Sequence, residues 1–153
     1  MIKKLKVVEL LNKFKIKYRI IELKDKAVSY KDVLKHSKGE VNPNEVFKTI
    51  IVVDKNNKKY AFVVKADRMV DFTKVKKIVG NKVSLANKKE LNEEGFEPGT
   101  VCPFLVNIPL YVDKELFQFK KFNCGSGDLH YGLEVRVEDL KNVKNYEVVD
   151  VEK

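Results

Sequence analysis

The chain has 153 residues, 44% of them hydrophobic and 10% aromatic, which suffices for one buried core and points to a single domain over residues 1–153. Its 31 Lys plus Arg against 22 Asp plus Glu give a net charge of +9. That excess favours polyanionic partners, because neutralised phosphates release their counterions, although a lysine-rich surface alone gives the same count. Cys102 and Cys124 are the only cysteines, in no CxxC spacing, so a zinc site and a disulfide framework are both excluded as expectations. The first residues, Met1-Ile2-Lys3-Lys4-Leu5-Lys6, lack a signal-peptide apolar stretch, and no run approaches the roughly 18 apolar residues that would span a bilayer. The expectation is a soluble, cytoplasmic protein with no membrane contact.

Ile2, Leu5, Val8, Leu11 and Phe14 recur at helical spacing with lysines elsewhere on the wheel, which predicts an amphipathic helix. Tyr18 to Leu23 reads as a short strand. Ser29-x-x-Asp32 resembles a capping box that opens a helix ending near Gly39. Val46 to Val53 and Tyr60 to Lys65 flank the polar turn Asp54–Lys58 and predict a hairpin. Asp71 caps a helix closed by Gly80, and Asn87-x-x-Glu90 opens another closed by Gly95. After an irregular loop over 96–103 come strand-like runs at Pro109 to Val112, Phe119 to Asn123, Tyr131 to Val137 and Tyr146 to Val151. Irregular interleaving of helices and strands predicts an α+β fold with a mixed or antiparallel sheet.

Alternation along Val46–Val53 places Lys48 on one face with Val46, Ile50 and Val52. A solvated lysine fits such neighbours poorly. A lysine at the edge of an apolar pocket can bind a phosphate or polarise a carbonyl, so surface and functional readings of Lys48 are both open. Gly99-Thr100-Val101-Cys102-Pro103 has a GxxxP spacing, which is either a surface turn or a loop whose backbone N–H groups meet a substrate. Asn123-Cys124-Gly125-Ser126-Gly127 is glycine-rich but lacks the lysine and following helix of a phosphate loop. His130 shares the more polar face of its strand with Gly132, Glu134 and Arg136. A Cys–His nucleophile would need Cys102 or Cys124 near His130 or His36, which no spacing shows. Asp113 follows Tyr111-Val112 and reads as the cap of the next turn.

Together these segments resemble the YbaK/ProX family, which includes the editing insertion of bacterial prolyl-tRNA synthetases. Val46–Val52 resembles the family strand with its lysine, Gly95–Phe104 its GxxxP loop, and Leu110–Leu116 the strand and aspartate that follow. Asn123–Gly127 with His130–Glu134 resembles the closing glycine turn. The resemblance implies a barrel-like mixed sheet with surrounding helices, and hydrolysis of the ester joining a wrong amino acid, Cys or Ala on tRNA(Pro), to the 3′ acceptor end of a mischarged tRNA. It makes Lys48 the catalytic residue. Thr49, Gly99, Thr100, Val101, Cys102, Pro103, Asp113, Gly125, Ser126 and His130 become substrate-binding positions. It implies no metal and no cofactor, a nucleophile that is either water or the thiol of a cysteinyl substrate, and a prolyl-tRNA synthetase as partner. A non-catalytic RNA-binding module and a synthetase-docking module are the rival readings.

Overall fold

Two turns of apolar spacing start the chain: Val7 and Leu11 of α1 (Lys6–Lys13) are fully buried, one helical turn apart on the same face. The structure, a computed structural model, describes residues 5–23, 30–36 and 41–153. The proposed cap at Ser29 and the helix stop at Gly39 lie outside them. Within them, α2 spans Tyr30–His36.

The strands form two sheets. In the first, β1 (Tyr18–Glu22) pairs antiparallel with β7 (Tyr131–Arg136), which pairs antiparallel with β6 (Lys121–Gly125). The second has the order β4-β2-β3-β5-β8, with β2 (Phe47–Asp54) and β3 (Lys59–Lys65) as an antiparallel hairpin. β4 (Val83–Leu85) joins β2 antiparallel, while β5 (Leu110–Asp113) and β8 (Glu147–Val149) join in parallel. The sheet is therefore mixed, as the irregular order of elements predicts. An isolated bridge from Val46 to Asn123 ties the two sheets together. Among the described residues the strands close no barrel.

Local chemistry sets these elements. Asp54 accepts from the backbone of Asn56 and Lys58 and from the Tyr60 hydroxyl, which fastens the β2–β3 turn. Asp71 accepts from the N–H groups of Thr73 and Lys74 at the start of α3 (Phe72–Val79), and Gly80 closes it in the left-handed region at φ 86°. Asn87 and Glu90 make the reciprocal cap of α4 (Lys88–Glu93).

The five-stranded sheet is covered on both faces. Phe47, Ile51, Ala61 and Val63 face the main core with Phe104, Leu116, Phe122 and Leu140. Val52, Phe62 and Val64 face a second cluster with Val75 of α3 and Val151. Each Phe or Leu so buried contributes about 1.5–3 kcal/mol. Burial on both faces explains why 46–53 and 60–65 read as almost unbroken apolar runs.

Candidate functional site

β4 pairs only with Val52–Asp54 of β2, and the other end of that strand approaches β6 through the Val46–Asn123 bridge. A cavity of about 490 Å³ lies there, between the start of β2, the β6–β7 hairpin, β1 and α2. Both faces of β2 contribute to its wall, Val46 and Lys48 from one and Phe47 and Thr49 from the other. Ile21, Leu23, Val33 and Tyr131 complete an apolar lining, and Gly99, Val101 and Gly125 bring backbone to it.

Lys48 is half-buried, and its Nζ donates to the backbone carbonyl of Arg68 at 3.0 Å. Burial lowers the ammonium pKa, while the carboxylates of Glu152 and Asp67 act against that shift. On its own strand face Lys48 is followed by Ile50 and Val52, which pack into the second cluster. The lysine therefore has an apolar base and, among the described residues, one anchoring hydrogen bond, which leaves an ammonium with donor capacity at the cavity.

Gly125 explains how the GxxxP loop and the glycine turn meet. A Cβ there would stand 2.5 Å from the Val101 carbonyl oxygen and 3.0 Å from that of Thr100. The Gly127 amide donates to the Thr100 carbonyl at 3.0 Å, which clamps the two loops together. Gly99, at φ 84°, takes a left-handed conformation that side chains disfavour.

Of the predicted site residues, Lys48, Thr49, Gly99, Val101 and Gly125 line this cavity. The others have different surroundings. The Thr100 hydroxyl donates to the Glu97 carbonyl at 2.7 Å and accepts from the Glu97 amide at 3.0 Å, locking its own turn. Cys102 and Pro103 are buried behind the loop. Asp113 caps the short 3₁₀ turn Lys114–Gln118 through the Glu115 amide at 3.0 Å, and it accepts from the Val151 amide at 2.8 Å. The Ser126 hydroxyl donates to the Tyr131 carbonyl at 2.6 Å. His130 is half exposed, its Nδ1 3.5 Å from Asp128 and its backbone amide bonded to the same carboxylate.

Both thiols are free and buried, and Cys124 reaches the cavity. Burial first, and contact with Cys102 second, push the Cys124 thiol well above its ordinary pKa of 9.0. Such a thiol stays protonated and is a poor nucleophile near neutrality, which weighs against a Cys–His pair. The side chain of His36 lies outside the description.

Asp128, Tyr131 and the β1–α2 wall are not among the predicted binding positions, and Asn123 enters only as the first residue of the glycine turn Asn123–Gly127. Asn123 had a readable signal, a polar residue between Phe122 and Cys124 in an apolar strand, the same signal that marks Lys48. Asp113, Glu115 and Glu152 bring carboxylate oxygens within 4.8 Å of one another, a grouping able to hold a metal ion. Arg68 already stands 3.7 Å from Glu115 and 4.0 Å from Glu152, and Asp113 is engaged by backbone. Burial, then the neighbouring Glu115, push the Glu152 carboxyl up to about 7.

The protein is thus a two-sheet α+β domain with an apolar cavity, an anchored lysine at its edge and glycine loops at its rim. The model of the aminoacyl-tRNA editing domain matches residues 25–143, and the chain belongs to that family. A crystal structure of the hypothetical protein APE2540 superposes with a TM-score of 0.84 at 28% identity, covering 97% of this chain and 99% of that one. A crystal structure of a proposed trans-editing enzyme for prolyl-tRNA synthetase gives a TM-score of 0.81 at 21% identity, over 96% of this chain and 94% of the other. A proposed signal transduction protein from Marinobacter aquaeolei carries the same fold at 13% identity and a TM-score of 0.72, over 95% of this chain and 30% of its own length. Among the described residues no helix is long and apolar enough to cross a membrane.

Proposed function

We propose that the protein is a trans-acting aminoacyl-tRNA deacylase, a single editing domain that hydrolyses the ester of a mischarged tRNA. Its substrates are small amino acids, Cys or Ala, on tRNA(Pro), with the cytoplasm as its place of action and a prolyl-tRNA synthetase as its partner. The observation that carries this reading is Lys48, a half-buried ammonium anchored to the Arg68 carbonyl at the edge of an apolar cavity. Family membership and the net charge of +9 support it.

The reaction needs little from the protein beyond positioning and charge. Water adds to the ester carbonyl carbon, an oxyanion forms, and the C–O bond to the ribose breaks as the ribose oxygen takes a proton. When the amino acid is cysteine, its own thiol can replace water in the attack. The Lys48 ammonium pairs with the terminal phosphate or ribose and lowers the energy of the negative charge that develops. Gly99, Val101 and Gly125 offer backbone without side chains in the way, and Thr49 adds a hydroxyl. Thr100 and Ser126 fix the two glycine loops through their own hydrogen bonds, while Cys102, Pro103, Asp113 and His130 stand behind or beside the bound end. No cofactor has a part in this chemistry.

The test is a deacylation screen over tRNAs mischarged with Cys, Ala and Ser, tRNA(Pro) first. Release of amino acid at a rate proportional to enzyme concentration supports the reading. Tight tRNA binding with no release on any body would leave the RNA-binding module, and capture of a synthetase without hydrolysis the docking module.

A further inference from the structure

Two residues that line the cavity carry buried polar atoms that folding alone does not account for. Asn123 is 3% exposed, yet neither its amide oxygen nor its amide nitrogen has a hydrogen-bond partner among the described residues. The hydroxyl of Thr49, on the same cavity, is also buried and unpartnered. Proteins pair nearly all such groups, because an unpaired buried amide forfeits its hydrogen bonds to water. Ile21, Leu23, Val46, Phe47 and Cys124 make much of the lining apolar, and although Glu134 stands opposite Asn123 in the β6–β7 register, no hydrogen bond joins them among the described residues. A leucine of similar size would satisfy the fold better.

The strands also say which part of a ligand the amide meets. Val46, immediately before β2, is bridged in parallel to Asn123 of β6. Two residues further along each strand stand Lys48 and Gly125, so Asn123 lies about 7 Å along the sheet from the Lys48 position. Lys48 is partly exposed whereas Val46 and Asn123 are buried, so Asn123 is on the inner side. An ester bound at Lys48 with its ribose toward the solvent-facing side would bring its amino-acid side chain toward that amide.

We propose that Asn123 is a specificity-determining residue that reads a polar atom on the β-carbon of the amino acid. Its oxygen accepts from a hydroxyl or thiol and its nitrogen donates to the same atom. A methyl group leaves both amide atoms unpaired, so seryl and cysteinyl esters are favoured over alanyl esters. The inference rests on the deacylase reading and narrows its substrate.

Serine and alanine on one tRNA body give the clean comparison, because a cysteinyl thiol can attack its own ester. Wild-type protein should show a kcat/KM at least about tenfold higher for the seryl than for the alanyl ester. Asn123→Leu should erase that preference, chiefly by slowing the seryl reaction, and should raise Tm. Asn123→Ala, which needs no added volume, should erase it as well. An equal fall for both esters would place Asn123 on the shared amine or carbonyl and overturn the proposal. A lowered Tm in Asn123→Leu would show a structural amide and do the same. Non-hydrolysable 3′-serylamido and 3′-alanylamido adenosine separate this proposal from the catalytic one, since calorimetry needs no turnover. Preferential binding of the seryl analogue by wild type, lost in Asn123→Leu, supports the proposal even without hydrolysis; equal binding of the two contradicts it.

Discussion

Lys48 and Arg68 are joined by a hydrogen bond from the lysine Nζ to the arginine's backbone carbonyl, 3.0 Å long. This bond holds the ammonium at the cavity edge whatever the arginine side chain does. Arg68 itself is turned toward Glu115 and Glu152. The Lys48 charge is thus positioned by backbone and balanced by the carboxylates of Glu152 and Asp67.

A pH dependence follows. Burial lowers the Lys48 pKa from its ordinary 10.5, so the ammonium loses its proton earlier than a surface lysine does. Deacylation, corrected for spontaneous ester hydrolysis, should decline on the alkaline side with a midpoint below 10.5. A corrected rate that still climbs through that range would remove the ammonium from the mechanism.

Glu152→Gln probes the same network from behind. The folded carboxyl titrates near 7 rather than 4.5, so the folded state holds this proton more tightly than the unfolded chain. Its stabilising contribution is complete below pH 4.5 and is lost as pH rises through about 7. Glutamine keeps an acceptor for the Lys65 amide, which Glu152 binds at 3.0 Å, and carries no charge. The variant should be more stable than wild type at pH 8 by about 1 kcal/mol after allowance for solvent screening, with no gain at pH 4.5. Denaturant melts at the two pH values decide this. The variant should also move the alkaline limb of activity lower, since Glu152 supports the charged form of Lys48.

Gly125→Ala should damage both fold and activity. Its Cβ would meet the Val101 carbonyl oxygen at 2.5 Å, and backbone rather than a flexible side chain must yield. Overpacking of this kind costs about 1–3 kcal/mol. Thermal melts should show the loss, and deacylation should fall further than stability alone explains, because the GxxxP loop is displaced. A variant with wild-type Tm and rate would mean that these loops move freely.

Cys102→Ala and Cys124→Ala should each keep a substantial part of the activity. The Cys124 thiol is raised by burial and is not poised as a thiolate. Loss of all turnover in a folded variant would make the enzyme's own sulfur the nucleophile.

How much of this was legible depended on how local each signal is. Lys48 could be read because one charged residue interrupts an apolar strand whose two faces are both buried. The caps at Asp71 and Asn87 could be read because their partners are within three residues. β4 was missed because its three residues, Val83–Leu85, show too little alternation to mark a strand. The carboxylate group was hidden because it joins positions 113 and 115 to 152, and the cavity wall because Ile21 meets Gly132 only through strand register. Asn123 carried the same signal as Lys48, but the adjoining glycines drew the functional reading toward Gly125 and Ser126.

Lys48→Ala tests the central claim most directly, with release of amino acid from a mischarged tRNA(Pro) followed beside the wild type. The variant should lose at least about 100-fold in rate with an unchanged melting curve, since the ammonium acts on developing charge. Lys48→Arg should recover little, because its planar fork cannot place one charge where the compact ammonium sits. A folded Lys48→Ala protein that clears the mischarged tRNA at the wild-type rate would contradict the account.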